Sequence, residues 1–249
     1  MFLKNHCSVD KRVKQVIKLM MAIFLLAAVG CASTLCPGTY HVRYVPEAEI
    51  DVDGALNEPD WNNAHRQTDF SFPWEARAVP VTEFRALCDD NYFYFSFIAH
   101  DQDIVVQEKF DTESVVAGED RVEIFFACDD KLKEYFCLEV DPLGRVLDYA
   151  ASYYRRFDNS WDWPGVHAAA SITDEGYTVE ASIPLKSLEA LGLPTLGPGW
   201  LLKVGLFRAD FNHGLISKPQ EHWISWVDPG TEQPDFHVPN AFGCLRIPE

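Results

Sequence analysis

An all-β fold, an antiparallel β-sandwich of jelly-roll type with short helical turns, is what this sequence predicts. Three observations carry it. Many short runs rich in β-branched and aromatic residues are separated by turn chemistry. Apolar and polar residues alternate within those runs. No long helical period and no internal repeat interrupts them. Many short strands with regular turn signals suit a sandwich or jelly roll.

In chain order, residues 1–30 read first as a leader. Lys4, Lys11, Arg12, Lys14 and Lys18 form a basic start, and Leu19 to Val29 is a continuous apolar run. That run is shorter than the roughly 20 residues a spanning helix needs, and it has the length of a signal-peptide core. It ends at Ala28-Val29-Gly30-Cys31, which resembles a bacterial lipobox with Cys31 as the acylated residue. Ordinary secretory cleavage nearby, for example after Ala32, is the alternative. Residues 31–41 read as a tether and 42–249 as the sandwich domain.

Within the domain the strand candidates are Val81–Cys88, Tyr92–His100, Arg121–Cys128, Glu134–Asp141, Arg145–Ala150, Val166–Ile172, Tyr177–Ile183, Leu201–Arg208, His222–Trp226 and Gly243–Ile247. Asp89-Asp90-Asn91 and Asp141-Pro142-Leu143-Gly144 are tight-turn sequences that join neighbouring strands. Short helical pieces are expected near Glu58–His65 and Lys186–Leu191. Alternation puts Phe93, Phe95 and Phe97 on one face of their strand. Val122, Ile124 and Phe126 share a face of theirs, with Glu123 opposite. Phe136, Leu138 and Val140 point inward, so Tyr135, Cys137 and Glu139 point outward. Glu123, Tyr135 and Glu139 can therefore share the outer face of adjacent strands, either as a ligand platform or as an ordinary solvated face.

Charge and cysteines bound the function. The net charge is −17, and the leader holds five of the basic residues against one acid. An acidic domain without a basic patch is a poor partner for nucleic acid, so none is expected. Of seven cysteines, Cys36, Cys88, Cys128, Cys137 and Cys244 remain after the leader and Cys31 are set aside. Export permits disulfides, but five leave at least one cysteine unpaired. No CxxC pair suggests zinc. The three methionines, Met1, Met20 and Met21, all fall in the leader, which removes the His/Met ligation of a haem sandwich. Bis-His ligation through His100, His213, His222 or His237 is a remote alternative.

Five segments then carry a resemblance. Ile50–Ala64 (IDVDGALNEPDWNNA), Ala86–Ile104, Glu119–Tyr149, Tyr177–Leu188 and His222–Ile247 follow one another in an order and spacing similar to the family 9 carbohydrate-binding modules and their lipoprotein relatives. The resemblance implies a non-catalytic domain that grips a saccharide or glycan, in polysaccharide capture or catabolism, at the bacterial cell envelope. Membrane contact would come through the lipid anchor only. In that family two Trp rings clamp the sugar. Here the corresponding positions hold Ala117 and Phe236. Glu123 matches a polar contact position, and Glu139 replaces a basic one. Trp61 is expected in the core, and Asp53-Gly54 in a tight turn.

A second aromatic set lies in Ser152–Gly165, with Tyr153, Tyr154, Trp161 and Trp163 beside Arg155 and Arg156. So aromatic a loop either roofs the core or binds something. The expected ligand site is therefore Phe236, His237, Glu123, Trp161, Trp163 and Arg155. No catalytic residue is expected, and no cofactor is required. Relatives of this kind of fold carry structural calcium, so Asp101, Asp103, Asp129 and Asp130 are either solvated turn acids or ligands of such an ion. The rival functions are a surface interaction domain without sugar affinity and a glycoside hydrolase. The latter would need two carboxylates about 5–9.5 Å apart, for which Glu123 and Glu139 are candidates.

Overall fold

The structure is a computed structural model. It describes residues 36–194, 200–214 and 219–247. The leader and Cys31 lie outside the described residues.

Among the described residues, thirteen strands form two sheets, as the alternation predicts. They are β1 (Thr39–His41), β2 (Arg43–Tyr44), β3 (Thr82–Cys88), β4 (Tyr92–His100), β5 (Arg121–Ala127), β6 (Tyr135–Val140), β7 (Val146–Ser152), β8 (Arg156–Asp158), β9 (His167–Thr173), β10 (Gly176–Pro184), β11 (Leu201–Asn212), β12 (Gln220–Ser225) and β13 (Gly243–Arg246). One sheet runs β1-β13-β11-β5-β6-β7-β8, with β12 also on β11. The other runs β2-β3-β4-β10-β9. Helix α1 (Leu185–Ala190) and a 3-10 turn at Pro59–Asn63 stand where helical pieces were expected. Two more 3-10 turns, Glu113–Gly118 and Pro239–Ala241, were not anticipated.

The main core lies between the sheets. Phe93, Phe95 and Phe97 of β4 meet Val122, Ile124 and Phe126 of β5 and Phe136, Leu138 and Val140 of β6 there. Alternate residues point outward. On the five-stranded sheet the outward side is closed by the segment around Trp61, whose indole Nε1 donates to Glu180 Oε1 at 2.8 Å. Gly54 belongs to the same lid. Its φ of +87° and its contact with the Ala170 backbone leave no room for a side chain. On the eight-stranded sheet, Phe125, Ala127, Tyr135, Cys137, Tyr149 and Phe207 point outward. Phe236, Ala241 and Phe242 close over them as a second cluster.

Residues 36–41, expected in the tether, are part of the fold. Cys36 forms a disulfide with Cys244, 208 residues away, and β1 pairs in parallel with β13. Cys88, Cys128 and Cys137 are free.

Candidate functional site

The outer face of the eight-stranded sheet is only partly roofed, and its open part has an unusual floor. Strand parity sends Arg121, Glu123 and Phe125 of β5 outward together. Register sets Glu123 opposite Glu139 of β6 and Phe207 of β11. Arg121 sits opposite Ala209, which in turn faces Trp223 of β12. The Arg121 guanidinium serves both acids. Its Nε donates to Glu139 at 2.5 Å, and an Nη lies 3.0 Å from Glu123 Oε1. Its other Nη donates to the Ala117 and Glu119 carbonyls at 3.1 and 3.2 Å. Tyr149 of β7 donates to Glu139 Oε1 at 2.8 Å. All four side chains are buried.

One cation between two buried carboxylates leaves an excess negative charge. Burial first, and the neighbouring Glu139 second, push the Glu123 carboxyl up to about 8. The pair therefore favours retaining one proton at neutral pH. Glu123 Oε1 is buried, with the Arg121 guanidinium 3.0 Å away as its ion-pair partner.

The walls come from loops. Residues 233–237 run along one side, with Phe236 stacked flat on Phe207 at 4.1 Å and edge-on to Trp223 at 5.7 Å. His237 stacks on Phe125 at 5.2 Å, and its Nδ1 is 3.0 Å from the Tyr135 hydroxyl. Burial lowers its imidazole to about 3, so the ring is neutral at ordinary pH. Arg155 pairs with Asp235 at 3.0 Å, and its guanidinium lies 5.5 Å from the Phe157 ring centre. The opposite wall is the Glu113–Gly118 turn, where Ala117 is exposed. Two cavities of about 420 and 550 Å³ share Arg121, Glu139, Arg155 and His237, and so form one trough across the strands. Trp223 and Phe236 line one end. Leu147, Tyr149 and Phe157 line the other.

The structure brings Phe236, His237, Glu123 and Arg155 of the expected set together in this trough. It does not bring Trp161 and Trp163 there. Both pack on the inner side of the same sheet, Trp161 on Phe136 at 5.0 Å and Trp163 on Phe126 at 5.2 Å. Trp163 is 4 % exposed, so the loop roofs the core. A large ring gains most from burial, and the segment after β8 carries both rings to the inner side of the sheet. Phe236 is itself buried at 6 % exposure, although it lines the cavity.

Arg121, Tyr149, Trp223 and Phe157 were missed. Parity with Glu123 could have placed Arg121 on the floor, and parity along Leu147–Ala151 could have placed Tyr149. Trp223 and Phe157 depend on which strands become neighbours.

The four acids proposed for calcium already have partners. Asp101 pairs with Arg208 at 2.9 Å, Asp103 with His213 at 2.6 Å, and Asp130 with Lys203 at 2.6 Å. Asp129 caps its own turn by accepting from the Lys131 amide at 2.7 Å.

Comparison with known proteins follows the same line. No curated protein matches the chain significantly in sequence. A candidate carbohydrate-binding protein from Bacteroides uniformis shares the fold with a TM-score of 0.65 at 19 % identity, over 84 % of this chain and 98 % of its own. A family 9 carbohydrate-binding module from Caldicellulosiruptor kristjanssonii, solved with cellotriose, gives 0.57 at 16 % identity, over 85 % and 94 %. A family 9 module from the same organism solved with glucose gives 0.53 at 18 %, over 84 % and 95 %. The model of the carbohydrate family 9 binding domain-like family matches residues 52–249, a span that contains both sheets apart from β1 and β2 as well as the whole trough. The chain therefore belongs to the carbohydrate family 9 binding domain-like family, whose members are non-catalytic binding domains.

Proposed function

We propose that the protein captures a saccharide in the trough on its eight-stranded sheet, and that it does so at the bacterial cell envelope, held there by a lipid on Cys31. The observation that carries the sugar reading is the floor. Arg121, Glu123 and Glu139 line one cavity together with the aromatic rings of Trp223 and Phe236. A pyranose needs just such a pairing, since its hydroxyls require directed donors and acceptors while its C–H face settles on a ring. A carboxyl that keeps its proton can donate to one hydroxyl and accept from another. Trp223, half-buried at the cavity edge, is the ring best placed for stacking. The ligands of the family 9 modules above, cellotriose and glucose, make β-glucans the first class to try.

The test is affinity electrophoresis and calorimetry against a panel of soluble polysaccharides and their oligosaccharides. Trp223→Ala should weaken binding by about 1 kcal/mol, roughly fivefold in Kd. Trp163→Ala should cost about 3–5 kcal/mol of stability and leave sugar affinity of the folded protein unchanged. A panel without any binder would favour an interaction domain that recognises another protein.

The anchor rests on the basic start, the apolar run and Cys31. The Cys36–Cys244 disulfide agrees with an oxidising, extracytoplasmic destination. Metabolic labelling with palmitate should tag the wild type and not Cys31→Ser. Equal labelling of both would remove the lipoprotein reading.

A further inference from the structure

The trough is longer than one sugar, and a partly free aromatic ring stands at each end of it. Trp223 lies on β12 and Phe157 on β8, the two extremes of the strand order β12-β11-β5-β6-β7-β8. Neighbouring strands are about 4.8 Å apart, so the five steps between them put the two rings on the order of 20 Å from one another. A single pyranose spans only a fraction of that length.

Both rings are held in place yet keep surface free. Phe157 is 41 % exposed, although it packs edge-on against Tyr149 at 5.4 Å and His237 at 4.9 Å. Trp223 is half-buried, edge-on to Phe236 at 5.7 Å and to Phe211 at 5.8 Å. Rings fixed in advance lose little freedom when a ligand settles on them. The polar groups lie between the rings: Arg121, Glu139, Arg155 and His237 line both cavities. A sugar gripped by that middle has a ring platform on either side of it.

Charge narrows the ligand further. Arg121 is already paired with Glu123 and Glu139, and Arg155 with Asp235. Glu221 adds an acid to one cavity and Glu113 to the other. Among the described residues that line the trough, no arginine or lysine is left over to meet a carboxylate or sulfate on a glycan.

We infer that the trough takes an interior stretch of a neutral polysaccharide, with Trp223 and Phe157 carrying the outer sugars and the Arg121–Glu139 floor meeting the hydroxyls between them. The stretch is roughly three to four units long, from the span of the strands. This rests on the saccharide reading above and adds to it the charge, the length and the part of the chain that is held. Phe157 becomes the residue that distinguishes a chain running through the site from one that ends in it.

The experiment is calorimetry of the whole protein with cello-, xylo- and manno-oligosaccharides, from monosaccharide to hexasaccharide. Affinity should climb with length and level off near the tetrasaccharide, which should bind roughly tenfold tighter than the monosaccharide. Borohydride reduction of the hexasaccharide opens the sugar at its reducing end and should leave Kd unchanged. Phe157→Ala should weaken the hexasaccharide roughly fivefold, and Phe157→Trp, which restores a ring, should recover it. Thermal melting of both variants checks that they are folded. Carboxymethyl cellulose and polygalacturonate should bind no more tightly than the neutral polymers. A monosaccharide as tight as the hexasaccharide, or a reduced hexasaccharide that no longer binds, would confine the ligand to a chain end. Either would overturn the inference and leave the saccharide reading standing. So would full affinity in a folded Phe157→Ala, or tighter binding of either anionic polymer. Failure of every oligosaccharide and polymer would remove the saccharide reading and this inference together.

Discussion

At the scale of single residues, Arg121, Glu123 and Glu139 set the character of the trough. Outward-facing strand residues are commonly solvated, and here the walls remove the water. A carboxylate withdrawn from water beside another carboxylate is held in its protonated form more readily than in the unfolded chain. For Glu123 the folded value of about 8 lies above the unfolded value of 4.5. The native state therefore binds the extra proton between those limits, and the Glu123 contribution to stability is present below them and lost as pH rises through 8. Glu123→Gln keeps the shape and cannot ionise. Its Tm relative to wild type should climb between pH 5 and 9, and a difference that stays flat would show that Glu123 is ionised throughout. His237 acts in the opposite direction. Its folded value, about 3, lies below 6.5, so its contribution is lost on acidification.

At the scale of elements, the 3-10 turn Glu113–Gly118 decides how much ring surface the trough offers. It places Ala117 on the rim, where the family resemblance puts the first of two clamping tryptophans, while Phe236, at the second clamp position, is buried. Ala117→Trp, at an exposed position, should fold normally. It should tighten any saccharide the wild type binds by about 1 kcal/mol, roughly fivefold in Kd, as read by calorimetry. Unchanged affinity would mean that the sugar does not reach this rim. The longer elements were legible in the sequence because alternation is strong there: β4, β5 and β6 stand within a residue of the expected Tyr92–His100, Arg121–Cys128 and Glu134–Asp141. β1, β2 and β8 were not, since each has at most three residues and no period can be read from so short a run. The Ser152–Gly165 loop misled for a related reason. Its composition tells that the rings must be covered, and composition does not tell which side of the sheet covers them.

At the scale of the whole molecule, the chain's two described ends are joined. The Cys36–Cys244 disulfide closes a loop of 208 residues, and β1 is held beside β13. Closing so long a loop removes much unfolded-state entropy. Cys36→Ser, or reduction, should lower stability by about 2–5 kcal/mol in denaturant titration, and a loss below 1 kcal/mol would show that β1 is held by its strand pairing alone.

What the sequence determined by itself was local. Alternation sorted inward from outward residues, so the sandwich, its core phenylalanines and the outward pairing of Glu123 with Glu139 could all be read from the residues. The order of motifs pointed to the family. Tertiary structure decided everything that depends on strand order and on how far loops reach. Parity states that Arg121 and Trp223 face outward, but only the β12-β11-β5-β6 order sets them over one floor. Parity sends Tyr149 outward, but only the β7-β8 pairing brings Phe157 beside it, 5.4 Å away. Periodicity is a property of neighbours along the chain, whereas a site is made by groups whose proximity the chain pays for in loop-closure entropy, and that balance is settled only when the whole sandwich closes.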